Sequence, residues 1–389
     1  MSHRSTKRES GFSLLEMVVS MALGSIVLGA AVQIYVQGVQ ATWTTTQRAE
    51  MQQDFRAASN LFTKDLSLAG AGLNPGTAIA LPSAVTPIYG CDQSATCYIN
   101  GGSVQFPKQG TTPYLYGLLP GYNDGPTLLA AQGATDIATV AYTDSNFYLN
   151  CYTPTVTAVG VVTFAPPAGF TTWAATGCLP SGTTLTAPQA VNDAAIGLTA
   201  GDLVYFPSLG GTPIVAEVTG PPALVSANTY TVPFANADVL HMNQTPSGKG
   251  LNSVATAATG TSPARLLLIS YYINNTVSPP RLMRQVSGHT PIPAAENVVY
   301  LKLTYDLFND ATNTPAVGCQ NPGSASDVCV SGSSSGLIPN QITKINVQNM
   351  AMDSTLNGSQ FGQGNGYQRL DLQTSVCARN LTYANNYPN

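Results

Sequence analysis

Between Met17 and Gln47 the chain runs for 31 residues without one ionisable acid or base. The apolar part of that run, Met17 to Val36, is 20 residues long, interrupted only by Ser20, Ser25, Gln33 and small Gly or Ala steps. A helix needs about 20 predominantly apolar residues to cross the hydrocarbon core of a bilayer, so this segment is long enough to span. Arg4, Lys7 and Arg8 precede it. Positive charge on that flank keeps an N-terminus cytoplasmic and sends the chain beyond the helix across the membrane. One acid, Glu16, stands at the entrance to the run. A carboxylate in a membrane segment is costly and marks function.

The helical pattern does not stop at the end of the apolar run. Met51, Phe55, Ala58, Phe62, Leu66 and Ala69 recur at steps of three and four, while Arg48, Glu50, Gln53, Lys64 and Asp65 fall off that stripe. Gly70-Ala71-Gly72 and Asn74-Pro75-Gly76 then supply a stop. The spacing predicts one helix of roughly 55 residues, about 80 Å at 1.5 Å per residue. Its first half suits a membrane and its second half packs on a globular domain. Gly24, Gly29 and Gly38 are points of weakness in it. Ser20/Gly24 and Ser25/Gly29 are either close-approach pairs for neighbouring helices or ordinary small residues of a membrane segment.

From residue 77 onward the pattern changes to short apolar or alternating runs bounded by Gly, Pro and Asn, the mark of antiparallel β structure. Runs of this kind are Asp136–Tyr142, Thr155–Phe164, Asp202–Phe206, Pro213–Val218 and Tyr230–Pro233. A tidier group follows at Arg265–Asn274, Arg281–Val286, Asn297–Phe308, Gln341–Met352 and Gln368–Leu381. In the last run, Leu370, Leu372, Thr374 and Val376 alternate with Arg369, Asp371, Gln373, Ser375 and Cys377. That alternation puts Cys377 on the polar face. The expected fold class is therefore α+β, a long N-terminal helix packed on an antiparallel β-rich domain. Only 9% of residues are charged, against roughly 25% in ordinary soluble domains. No arginine lies between Arg56 and Arg265, and the only lysines there are Lys64, Lys108 and Lys249. Nucleic-acid binding through a basic patch is excluded on that ground.

The seven cysteines show no metal-ligand spacing, and no metal or cofactor is expected. Cys91 with Cys97 and Cys319 with Cys329 bracket short polar loops that an oxidising compartment closes readily. Cys151 with Cys178 is a third candidate pair, which leaves Cys377 as a free thiol or a link between chains. Spacing alone leaves this connectivity open.

Gly11-Phe12-Ser13-Leu14-Leu15-Glu16, behind its basic leader and ahead of the uncharged run, resembles the prepilin signal of type IV pilins and pseudopilins. The resemblance implies cleavage after Gly11 by a prepilin peptidase, N-methylation of Phe12, and pairing of Glu16 with the N-terminus of a neighbouring subunit. A buried carboxylate in a filament core needs such a cationic partner. Many major pilins carry a proline midway along this helix, and here there is none. Further on, Leu267–Ile273 with Arg281–Arg284, Glu296–Tyr305, Ile338–Ile342 and Ser375–Leu381 resemble, in order, the strands of the PilW family of minor pilins. The implied organisation is a leader (1–11), a transmembrane half-helix (12–36), an amphipathic half-helix (37–69), a β-rich variable region (70–263) and a PilW-like C-terminal sheet region (264–389).

The implied function is that of a non-enzymatic minor pilin in pilus assembly initiation and the tip complex, serving adhesion, twitching motility or DNA uptake. Its implied partners are other minor and major pilins, the prepilin peptidase, the inner membrane and a pilus-tip adhesin. It would sit in the inner membrane with a periplasmic domain and then in the pilus. Two alternatives stand beside it. One is a J-like minor pseudopilin of type II secretion. The other is an exported β-rich adhesin or carbohydrate-binding protein, cleaved by signal peptidase near Gly29-Ala30-Ala31.

Catalytic patterns are weak. Gly332-Ser333-Ser334-Ser335-Gly336 fits G-x-S-x-G but lies in a Ser/Gly loop rather than between a strand and a helix. Gly362-Gln363-Gly364-Asn365-Gly366 has no helix behind it to hold a phosphate. His241 and His289 stand in turn-like contexts, and Tyr122-Asn123-Asp124-Gly125 reads as a turn rather than a calcium loop.

Overall fold

In the computed structural model a single α-helix, α1, runs from Leu14 to Ser67, 54 residues. Residues 11, 13–74, 78–180, 185–244, 249–309, 312–324, 327–353, 369–378 and 380–381 are described. Two units divide the chain, one ending at Gln53 and the other beginning at Asp54. Within the first, large apolar side chains lie open on every side of the helix: Leu14 is 82% exposed and Ile34 71%. Within the second, Phe55, Ala58, Phe62 and Leu66 are buried at the helical spacing read from the sequence. Each large side chain of that stripe is worth roughly 1.5–3 kcal/mol of burial.

The rest of the second unit is antiparallel sheet. A large eight-stranded sheet has Ala264–Asn274 as its central strand. That strand pairs with Leu203–Leu209, with Ile137–Thr143 and with Arg281–Val286. The boundary expected at 263/264 therefore runs through this sheet, because strands from both sides of it complete one hydrogen-bond ladder. A four-stranded outer sheet is formed by Ala223–Ser226, Thr229–Pro233, Val161–Ala165 and Thr153–Ala158. The run Thr155–Phe164 is thus a hairpin and not one strand. Gly160, at φ +71°, makes its turn, a conformation open to glycine. A second four-stranded sheet, in the order Thr314–Cys319, Val298–Asn309, Ile342–Asp353, Arg369–Cys377, closes the C-terminal side. The last strand stops at Cys377, and Asn380 and Leu381 are helical.

Asp65 departs most from the sequence expectation. It leaves the apolar stripe yet is only 2% exposed. Its carboxylate accepts from the Tyr142 hydroxyl (2.9 Å), the Tyr271 hydroxyl (2.7 Å) and Arg284 Nε (2.8 Å). Those partners come from three neighbouring strands of the large sheet, Tyr271 and Arg284 being directly opposite one another. Burial, with the Asp65 charge alongside, pushes both phenols far above their usual range, so they remain donors. The Phe62 ring packs edge-on against Tyr271, centroids 4.9 Å apart. Just past α1 the chain joins the sheet through Gly70 N–H to Ala141 O and Thr143 N–H to Ala71 O, both 2.9 Å. Gly72 cannot be replaced there: at φ +74°, a Cβ would sit 1.8 Å from Thr143 Oγ1.

A second buried acid lies at the far edge of the large sheet. Glu217, fully buried, accepts from Gln93 Nε2 (2.5 Å) and Leu240 N–H (2.7 Å), with the buried Asp238 carboxyl beside it. Burial, with the Asp238 carboxyl beside it, lifts Glu217 from 4.5 to about 8. A group held protonated in the fold but ionised in the unfolded chain stabilises below its unfolded pKa, and the stabilisation fades as pH rises through the folded one.

Two outcomes follow. Asp65→Ala strands the Arg284 guanidinium in a largely buried site and is expected to cost about 3–5 kcal/mol, read as a lowered urea midpoint. For Glu217, the wild-type melting temperature should fall as pH rises from about 5 to about 8. Glu217→Gln should flatten that slope relative to wild type, and an unchanged slope would remove Glu217 as its source.

Candidate functional site

The N-terminal end of α1 gathers the residues that the sequence singled out. Gly11 is exposed and Ser13 stands just before the first helical residue. Ser13 Oγ accepts from Glu16 N–H (3.2 Å), while Glu16 Oε2 accepts from Ser13 N–H (3.3 Å). This reciprocal pair is a capping box, which satisfies two of the backbone donors that a helix start leaves unpaired. The S-x-x-E spacing was the available signal for it, hidden by reading Glu16 only as a charge in an apolar run. Phe12 and residues 1–10 of the leader lie outside the described residues.

Beyond the cap, four hydroxyls along α1 bond back to its own backbone. Ser20 Oγ donates to Glu16 O (2.7 Å), Ser25 Oγ to Ala22 O (2.8 Å), Thr42 Oγ1 to Gly38 O (2.9 Å) and Thr45 Oγ1 to Ala41 O (2.9 Å). Hydroxyls turned back on the helix expose no unpaired donor to hydrocarbon. Among the described residues, α1 is the one helix long and apolar enough to cross a membrane, and its apolar stretch is not buried.

Comparison with known proteins agrees with this end of the chain. Residues 6–32 match the family model of the prokaryotic N-terminal methylation motif. No curated protein and no solved structure is significantly similar to the chain. The motif and the helix behind it support a type IV pilin-like or pseudopilin-like role. The motif implies processing by a prepilin peptidase and assembly with other pilins, and α1 fits a single-pass anchor in the inner membrane.

The remaining sequence candidates occupy separate places. Disulfides join Cys91 to Cys97, Cys151 to Cys178 and Cys319 to Cys329, while Cys377 is an exposed free thiol. Asp92 organises the first loop, accepting from Ser94 N–H (2.9 Å), Thr96 N–H (3.1 Å) and the Tyr98 hydroxyl (2.5 Å). Asp327 lies within ligand distance of Cys319 and Cys329, but the disulfide has consumed both thiolates.

The G-x-S-x-G serine, Ser334, is buried and donates to Asp327 Oδ2. His241 Nδ1 lies 3.1 Å from Thr86 O and His289 Nε2 lies 2.9 Å from Asp202 Oδ1, so each histidine is engaged elsewhere. Asn123, at φ +58°, turns the Tyr122–Gly125 segment. Its side-chain oxygen receives the Lys302 ammonium at 2.6 Å, so a protein cation already occupies that turn. The glycine run at 362–366 lies outside the described residues.

Alkylation checks the thiol assignment. Unreduced protein should take up one iodoacetamide adduct, mapped to Cys377, and reduced, denatured protein should take up seven, one for each cysteine. Three adducts on unreduced protein would mean that one of the three bridges is not formed.

Proposed function

We propose that the chain is a structural, non-enzymatic minor pilin of the type IV pilus, most like the PilW group, acting in assembly initiation and at the filament tip. The observation that carries this reading is the prepilin-type start of α1: a processing glycine, a carboxylate five residues on, and an exposed apolar helix with no further charge before Arg48. Such a surface is covered by lipid before assembly and by neighbouring helices after it.

The tip position is supported by size. The unit starting at Asp54 extends to Asn389, a large head for helices that must pack side by side at 8–10 Å. Next to the PilW group, the patterned segments Leu267–Ile273 and Arg281–Arg284 are adjacent strands in register. Of the segment Glu296–Tyr305, Glu296 ends a strand of the large sheet and Val298–Tyr305 belongs to the C-terminal sheet. The domain would face the periplasm first and the cell exterior once the pilus extends.

N-terminal mass analysis is the decisive measurement. A mature protein starting at N-methylated Phe12 supports the reading, and one starting near Ala31 defines instead an exported domain released by signal peptidase. Gly11→Val should retain the leader and stop incorporation into filaments. Glu16→Ala should insert into the membrane and fail to assemble. Glu16→Gln keeps a capping box but loses the charge, and should fail equally. Assembly of Glu16→Gln would assign the glutamate to the cap alone. Loss of type II secretion with normal piliation in a deletion strain would move the protein to the pseudopilins.

A further inference from the structure

The C-terminal sheet carries a feature that the proposed function does not draw on. One face is core: Leu303, Tyr305, Ile345 and Val347 are buried. Over the other lies a shallow open cleft of about 720 Å³, lined by Gln132, Tyr300, Asn346, Asn349, Gln373 and Ser375 among others. Asn346 and Ser375 are cross-strand partners within it.

The cleft sits on a bulge in a central strand. Along Ile342–Asp353, Val347 pairs with Thr374 and Met350 with Leu372, so Gln348 and Asn349 together oppose the single residue Gln373. On the other neighbour, Lys302 pairs with Asn349 and Leu303 with Val347, which leaves Gln348 unpaired on that side as well. All three amides, Gln348, Asn349 and Gln373, line the cleft. A bulge breaks the ladder and re-aims side chains, and bulges concentrate at functional sites. Asn349 Oδ1 is buried there without a hydrogen-bond partner. A buried polar atom left unpaired calls for an explanation, and a donor brought by a ligand supplies one.

The chemistry of the lining narrows the ligand. Carboxamides and hydroxyls dominate, each able to donate and accept. Its one cation, Lys302, is held at 2.6 Å by Asp136, so the cleft has no free charge for a phosphate, a nucleic acid or an acidic peptide. Three of its lining residues, Gln373, Thr374 and Ser375, lie on Arg369–Cys377, the last strand of the sheet. We propose that this cleft binds a neutral polyhydroxylated ligand, a short stretch of glycan, with Asn349 and Gln373 as its principal hydrogen-bonding residues.

The proposal is independent of pilus assembly and is tested apart from it. Detergent-solubilised full-length protein is applied to an array of short neutral oligosaccharides, their sialylated and sulfated counterparts, and a random peptide library. The strongest neutral hit is then titrated against wild type, Asn349→Ala, Gln373→Ala and Ser375→Ala. Neutral glycans should be retained over acidic ones. Asn349→Ala and Gln373→Ala should each weaken binding about tenfold, the loss of one or two hydrogen bonds, at unchanged melting temperature.

Ser375 is exposed on the last strand, so Ser375→Ala keeps the fold and should weaken binding as well. It reads out the cleft even if a bulge variant unfolds. Retention of no neutral glycan, preference for peptides or acidic glycans, or equal binding by wild type and all folded variants would overturn the proposal.

Discussion

The carboxylate of Asp65 is the point on which the second unit is organised. One acid on the last turns of α1 receives hydrogen bonds from Tyr142, Tyr271 and Arg284, which reside on three neighbouring strands of the large sheet. Each of those groups, taken alone, would be costly to bury. Joined at one carboxylate they satisfy each other and fix the rotation of the helix, since turning α1 by one residue would swing Asp65 away from all three. The apolar stripe supplies the larger share of the free energy, but it is tolerant of small shifts. The polar cluster is not, and this explains why a charge sits in an otherwise greasy interface.

That same residue marks the limit of what the sequence could reveal. The helix, its continuation past the apolar run and most strands were legible because side-chain periods of 3.6 and 2 follow from local geometry. Asp65 broke the helical period, and nothing in a single chain distinguishes a carboxylate facing solvent from one facing Arg284, 219 positions away. Long-range pairing was equally hidden. The strand Ala264–Asn274 sits between partners drawn from both sides of the expected 263/264 boundary, and strand order carries no local signature. The Thr155–Phe164 run read as one strand because its turn residues, Val159 and Gly160, interrupt the apolar pattern only briefly.

At the N-terminus the difficulty was the reverse, since one residue combines an observed role with a proposed one. Glu16 Oε2 caps the helix start through Ser13 N–H. A carboxylate has a second oxygen and further lone pairs, so capping does not exhaust it. A cation arriving from a neighbouring chain can therefore be received without first breaking the cap, and the cap holds the carboxylate in a fixed place to receive it. Preorganisation of this kind lowers the cost of association, because the side chain has already lost its rotamer freedom.

The scarcity of charge takes on a sharper meaning against the ion pairs. After residue 260 the described cations are Arg265, Arg281, Arg284, Lys302, Lys344 and Arg369, and each has an acidic partner: Asp144, Glu296, Asp65, Asp136, Asp306 and Asp353. Charge in this part of the domain is used within the fold. With those cations paired, the described surface of this part offers no free positive charge to steer an anionic partner, and recognition of one falls to short-range contacts, hydrogen bonds and apolar fit. Such contacts depend on shape, and along the C-terminal sheet the bulge at Gln348 and Asn349 is where regular shape is given up. A regular ladder would have been the more stable choice for a strand that serves only as scaffold.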